Sequence, residues 1–136
     1  MDEISRIRIT FYLSADEFDL ENTTQKMGIV PTIARRKSDF PPTGLARTLW
    51  GIDLVEEDCI AVSILFKKLL KILESKQQTI NAMCSEFGLK TSFEIAIHMN
   101  HPHHPEMVLT SDIVEFAASI GAEIGFDLYC YSEYDE

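Results

Sequence analysis

The sequence predicts an α+β domain of the ferredoxin-like sandwich class. The expected sheet has four strands, mainly antiparallel, with helices on one face and a helical insertion between two β-α-β halves. Three observations predict it. Four segments alternate apolar and polar residues with the period of two of a half-buried strand. Between them, apolar residues recur at spacings of three and four, as in amphipathic helices. The order is strand, helix, strand, one or two helices, strand, helix, strand. A chain of 136 residues with 46% hydrophobic and 25% charged residues is long and apolar enough for one core. One domain over residues 1–136 is expected, with an ordered part over 6–131 and an acidic tail over 132–136.

Each element has a local reason. Ile7, Ile9, Phe11 and Leu13 alternate with Arg8, Thr10 and Tyr12, which makes the first strand. Asp19 can cap a short helix through Met27, and Gly28 can end it because glycine accepts the left-handed conformation. Residues 33–44 carry Arg35, Arg36, Lys37, Ser38 and prolines without an apolar period, and read as a loop. Thr48, Trp50, Ile52 and Leu54 alternate as a second strand. Val62, Leu65, Phe66, Leu69, Ile72 and Leu73 give the strongest helical period, and Ile80, Met83, Cys84 and Phe87 continue it after a break near Ser75, up to Gly88. Phe93, Ile95, Ile97 and Met99 form a third strand, and the prolines from His101 to Pro105 make a loop. Asp112 and Glu115 have capping-box spacing ahead of Ile113, Phe116, Ala117 and Ile120. Ile124, Phe126, Leu128 and Cys130 alternate as the last strand. Each strand is apolar on one flank only, so the helices are expected to cover one side of the sheet and leave the other open.

Charge narrows the partners. Twelve basic and twenty-two acidic residues give a net charge of −10. Nucleic-acid affinity comes largely from Lys and Arg displacing counterions, so a nucleic-acid partner is not expected. An anionic membrane surface is disfavoured for the same reason, and no run of about 18 apolar residues suits a spanning helix. No Lys or Arg follows Lys90, which leaves the C-terminal third acidic. The start, Met1-Asp2-Glu3, lacks the basic and apolar segments of a signal peptide, and Cys59, Cys84 and Cys130 fall within apolar patterns. Buried free thiols in a reducing cytoplasm are the expectation.

Phe18-Asp19-Leu20, Thr24 and Met27-Gly28-Ile29-Val30-Pro31-Thr32, followed by the basic loop Arg35-Arg36-Lys37-Ser38-Asp39 and a strand carrying Trp50, resemble the signature of a bacterial family known as domain of unknown function 4279. The likeness spans residues 6–131, including Ile120-Gly121 before the final strand. It implies a small bacterial cytosolic protein and supplies neither a reaction, a cofactor nor catalytic residues. The Gly28–Thr32 run also has a purely structural reading. Gly28 ends the helix, Ile29 and Val30 tuck beneath it, and Pro31 stiffens the exit.

Three constellations could carry function. His98, His101, His103 and His104 lie within seven residues, and imidazole binds zinc, nickel and copper. His101, His103 and His104 are the candidate metal ligands, although an exposed polar turn explains them as well. Arg35, Arg36 and Lys37 are the one dense positive patch, where guanidinium forks could hold an anion beside Thr32, Ser38 and Thr43, unless the chain's own acids pair with them. On the open sheet face, Tyr12, Glu94, Asp127 and Tyr129 could form an interface, since tyrosine buries ring area while keeping its hydroxyl bonded. Glu94, Glu123 and Asp127 could also act as acid and base there, with Arg8 expected to neutralise them. His98 and Cys130 fall on opposite pleat faces, so a Cys–His pair is not expected.

The preferred reading is a non-catalytic interaction module of the cytoplasm, without a cofactor. Its partner is another protein or a second copy, with immunity-like capture of a basic effector as the specific form. The alternative is an anion-binding domain or enzyme built on Arg35 and Arg36.

Overall fold

Strand β1 (Ser5–Ala15) holds the centre of the sheet, antiparallel to β3 (Thr48–Glu57) on one side and β4 (Lys90–Asn100) on the other. The computed structural model describes residues 5–41, 44, 46–100 and 102–131. Thr43, the candidate ligand His101 and the tail 132–136 lie outside them. A short β2 (Ile33–Arg35) flanks β3, and β5 (Glu123–Tyr131) runs parallel to β4 at the other edge. The sheet is mixed, with five strands in the order β2-β3-β1-β4-β5.

The α+β class is as expected, but the four-stranded ferredoxin-like arrangement is not what the chain forms. The extra strand, β2, hides in the basic loop because three residues are too few to display a period. The first half is also no parallel β-α-β unit, because helix α1 (Leu20–Met27), followed by β2, lies in the connection between the antiparallel neighbours β1 and β3. Only β4, helix α4 (Ser111–Ser119) and β5 form a parallel crossover.

One flank of the sheet makes the core. Ile7, Ile9, Phe11 and Leu13 are fully buried, opposite Phe93, Ile95 and Ile97 of β4 and Trp50 and Ile52 of β3. Helix α2 (Val62–Leu73) presses Val62, Leu65, Phe66, Leu69 and Leu73 onto that flank. The Phe66 ring packs 4.8 Å from Phe93, which lies 5.3 Å from Phe11, all tilted as aromatic quadrupoles favour. After a 3-10 turn at Glu74–Lys76, helix α3 (Gln77–Phe87) adds Ile80 and Met83, and α4 adds Ile113 and Ala117. The segment beyond β4 returns to the start of α2, where Glu106 accepts from Val62 N at 2.9 Å and donates to Ile60 O at 2.8 Å.

The family-like signature is an anchoring device for α1. Asp19 accepts from Asn22 N at 3.0 Å and caps the helix. Gly28 closes it at φ +67°, a conformation that costs a side-chain-bearing residue about 1 kcal/mol or more. The Thr24 hydroxyl accepts the indole N–H of buried Trp50 at 2.9 Å, which ties α1 to β3 and satisfies a donor that has no access to water. The Thr32 hydroxyl accepts Asp53 N at 2.8 Å, while Thr32 N donates to Gly51 O, extending the β2–β3 ladder. Ile29 packs against the core as expected, but Val30 does not tuck under the helix and is 82% exposed. The extended exit set by Pro31 turns it outward.

Other expectations are corrected at the ends of elements. Asp112 and Glu115 form no capping box. Thr110 is the cap residue of α4, and its hydroxyl donates to Asp112. Phe87, expected in the core, ends α3 41% exposed, with Lys26 Nζ 5.6 Å from its ring centre. Phe126 and Cys130, also expected inside, are exposed because the helical layer stops short of the edge strand. Of the thiols only Cys59 is fully buried, and burial pushes both it and Cys84 up from the ordinary thiol range.

Two stability outcomes follow. Thr24→Val removes the acceptor of a buried indole N–H and should lower unfolding free energy by about 1–3 kcal/mol in urea melts, whereas Thr24→Ser should be close to wild type. Phe66→Ala opens the α2–sheet contact and should cost about 3–5 kcal/mol.

Candidate functional site

The flank without helices is set by the same alternation that builds the core. Arg6, Arg8, Thr10 and Tyr12 of β1 point there, with Gly51, Asp53, Val55 and Glu57 of β3. From the other side come Glu94, Ala96 and His98 of β4, paired in register with Gly125, Asp127 and Tyr129 of β5. The four residues expected to form an interface, Tyr12, Glu94, Asp127 and Tyr129, therefore share this face. They are brought to different halves of it.

The β1–β3 half is internally balanced. Arg6 pairs with its cross-strand neighbour Glu57 at 3.3 Å, and Arg8 reaches Asp53 at 3.6 Å. Tyr12 lies over Gly51, where an added Cβ would stand 2.9 Å from Phe11 O and 3.1 Å from the tyrosine ring. That glycine is required for the ring to lie flat on the sheet.

The β4–β5 half is different. Glu94 lies across Gly125, where a Cβ would come within 2.6 Å of its Oε2. The His98 ring stacks on Tyr129 with centroids 4.4 Å apart, and its Nδ1 is 2.9 Å from the Tyr131 hydroxyl. The Tyr129 hydroxyl donates to Asp127 Oδ2 at 2.6 Å. This hydrogen bond and the adjacent negative charge hold the Tyr129 phenol above its ordinary range. Arg8 does not neutralise these acids, as it engages Asp53, and Glu123 sits at the start of the strand with Lys90 at 3.2 Å. Among the described residues neither Glu94 nor Asp127 has a basic side chain within ion-pair distance. Exposed carboxylates beside stacked rings can take up cationic groups of a partner, by charge and by cation–π contact.

The basic loop is largely self-occupied. Lys37 Nζ bonds Asp16 at 2.8 Å, and that contact holds the Asp16 carboxyl below its usual range. Arg36 N donates to Asp39, and Lys37 N donates to Thr48 Oγ1. Arg36 lines two shallow hollows of about 170 and 210 Å³, but Glu17 shares the first and Glu21 and Asp39 share the second. Arg35 is exposed on β2, and the Thr32 hydroxyl is committed to Asp53 N.

The histidine loop is divided. His98 belongs to β4 and faces the open side, whereas His103 and His104 line a hollow of about 260 Å³ on the helix side with Met99, Met107 and Cys130. Among the described residues no three His, Cys, Asp or Glu side chains gather as a metal-holding group. Cys130 lies in register with Met99 and His98 with Tyr129, so the two occupy opposite pleat faces.

Sequence reading did not single out His98 and Tyr131 as partners of Tyr129. Their shared parity was available, but their contact depends on β4 and β5 being parallel neighbours.

Replacing Asp127 with Asn removes the charge that raises the Tyr129 phenol. Its titration, followed by the ring ¹³Cζ resonance, should move down toward the ordinary tyrosine value, with the other tyrosines little changed.

Residues 5–131 match one family model, which covers the whole described sheet and its helices. No curated protein and no solved structure matches the chain. The match takes in Asp19, Thr24, Gly28, Thr32 and Trp50, whose contacts anchor α1. The chain belongs to the family described as Domain of unknown function (DUF4279).

Proposed function

We propose that this protein is a non-catalytic interaction module of the bacterial cytoplasm that docks a basic protein partner on the β4–β5 half of its open sheet face. The observation that carries this reading is the pair Glu94 and Asp127, exposed beside His98, Tyr129 and Tyr131 and lacking a cation among the described residues. The β1–β3 half supports the contrast, because its Arg6 and Arg8 are already paired. A basic partner would supply Lys or Arg to both carboxylates and lay a guanidinium on the rings. The net charge of −10 would speed encounter with such a partner. Immunity-like neutralisation of a basic effector fits this chemistry. Anion binding at Arg35 and Arg36 is the weaker reading, since acids share both hollows and Lys37 is engaged by Asp16.

An octa-arginine peptide is a direct probe. At low salt it should shift the amide resonances of Glu94, His98, Asp127, Tyr129 and Tyr131 while leaving those of Arg6, Arg8 and Tyr12 nearly unmoved. Glu94→Gln with Asp127→Asn should weaken it about fivefold or more, and wild-type binding should fade as salt rises. Shifts confined to other surfaces, or an unweakened double variant, would reject the placement.

A further inference from the structure

The two edges of the sheet are unlike. β2 offers three residues, one of them Arg35, and Pro41 follows shortly after. β5 offers nine residues with no Lys and no Pro, its charged positions being Glu123 and Asp127, and among the described residues no strand lies on its outer side. Natural edges are usually shortened, charged, bulged or covered, because a bare row of N–H and C=O groups pairs with another strand. β5 is also apolar where it is bare. Phe126 is 45% and Leu128 51% exposed on the helix side, and Cys130 is exposed beside them.

We propose that β5 pairs with β5 of a second copy, antiparallel about a two-fold axis at Leu128, making one continuous sheet of the two. The occupant follows from the strand's own complementarity. A two-fold perpendicular to the sheet keeps every side chain on its face, so the axis must pass through a residue. At Asp127 it would set two carboxylates directly opposite each other, which is unfavourable. At Phe126 it would leave Cys130 and Tyr131 hanging beyond the paired segment. At Leu128 the residues 125–131 of each copy oppose one another. Leu128 meets Leu128, Asp127 meets the Tyr129 of the second copy, and Tyr131 lies opposite Gly125, which has no side chain to oppose it. Phe126 meets Cys130 of the second copy, at the rim of the 260 Å³ hollow lined by Met99 and Met107. A phenyl ring thus faces an apolar recess on both sides of the axis.

The pairing uses the edge of β5 rather than the face of the sheet, so it does not rest on the basic-partner reading. Sedimentation and light scattering of the full chain need no peptide and separate the two. At concentrations on the order of 100 µM, suited to a micromolar dimer, the particle should have twice the 15.5 kDa chain mass. Leu128→Lys, at an exposed site, should give a monomer with an unchanged circular-dichroism spectrum and the melting temperature of wild type diluted below its dimer dissociation constant. In a Cys130→Ser background, Leu128→Cys should form an intermolecular disulfide on mild oxidation, because directly opposed antiparallel residues lie about 4.5–5.5 Å apart at Cα, within the span of a disulfide. The Cys130→Ser chain alone should not. A monomeric wild type, or a dimer that survives Leu128→Lys, overturns the proposal. Failure of the disulfide in a chain that Leu128→Lys does dissociate overturns the register.

Discussion

Because β1 is paired along both of its edges, every second residue on it must serve one of two environments for its whole length. Ile7, Ile9, Phe11 and Leu13 take the helical side without exposure, and Arg6 and Arg8 take the other. A one-residue slip against either neighbour would drive arginines into the core and isoleucines into water. The register of β3 and β4 is thereby fixed, and with it the composition of the open face. The core and the candidate interface are two consequences of one alternation.

The family-like residues serve this scaffold, not the face. Trp50 is too large to bury with its indole N–H unbonded, and Thr24 supplies the acceptor from α1. Asp19 and Gly28 set where that helix begins and ends, and Thr32 carries the chain into β2. The Thr24–Trp50 bond is part-buried, the Asp19 bond caps the helix, and the Thr32 bond to Asp53 N lies at the surface of the sheet. The signature therefore marks how α1 is held on β3, and the family match speaks for the architecture more than for any partner.

Much of this was legible in the residues. Four alternating segments, the strong period of α2, the break near Ser75 and the glycine stops at 28, 88 and 121 all correspond to observed elements. What was hidden depends on neighbours in space. β2 is too short to show a pattern, and its antiparallel pairing with β3 is set by the path from Pro31. The parallel placement of β5 at an edge decides that Phe126 and Cys130 are exposed, although their alternation is as regular as that of Phe93 and Ile95. Periodicity reports which flank a residue takes. It does not report whether anything covers that flank.

The unpaired acids show the same dependence. Thr10 lies between Asp53 on β3 and Glu94 on β4, so Arg8, two residues along β1, had a carboxylate on either diagonal. It reaches Asp53, and Glu94 instead lies over Gly125. One guanidinium cannot hold two carboxylates on opposite sides of its strand in good geometry, and no other cation of the described chain extends to Glu94. Leaving an exposed carboxylate unpaired costs little in water, since surface ion pairs contribute only about 0–1 kcal/mol. The fold therefore tolerates a negative β4–β5 half that would be untenable in its interior. That tolerance keeps Glu94 and Asp127 available to a cation from outside the chain.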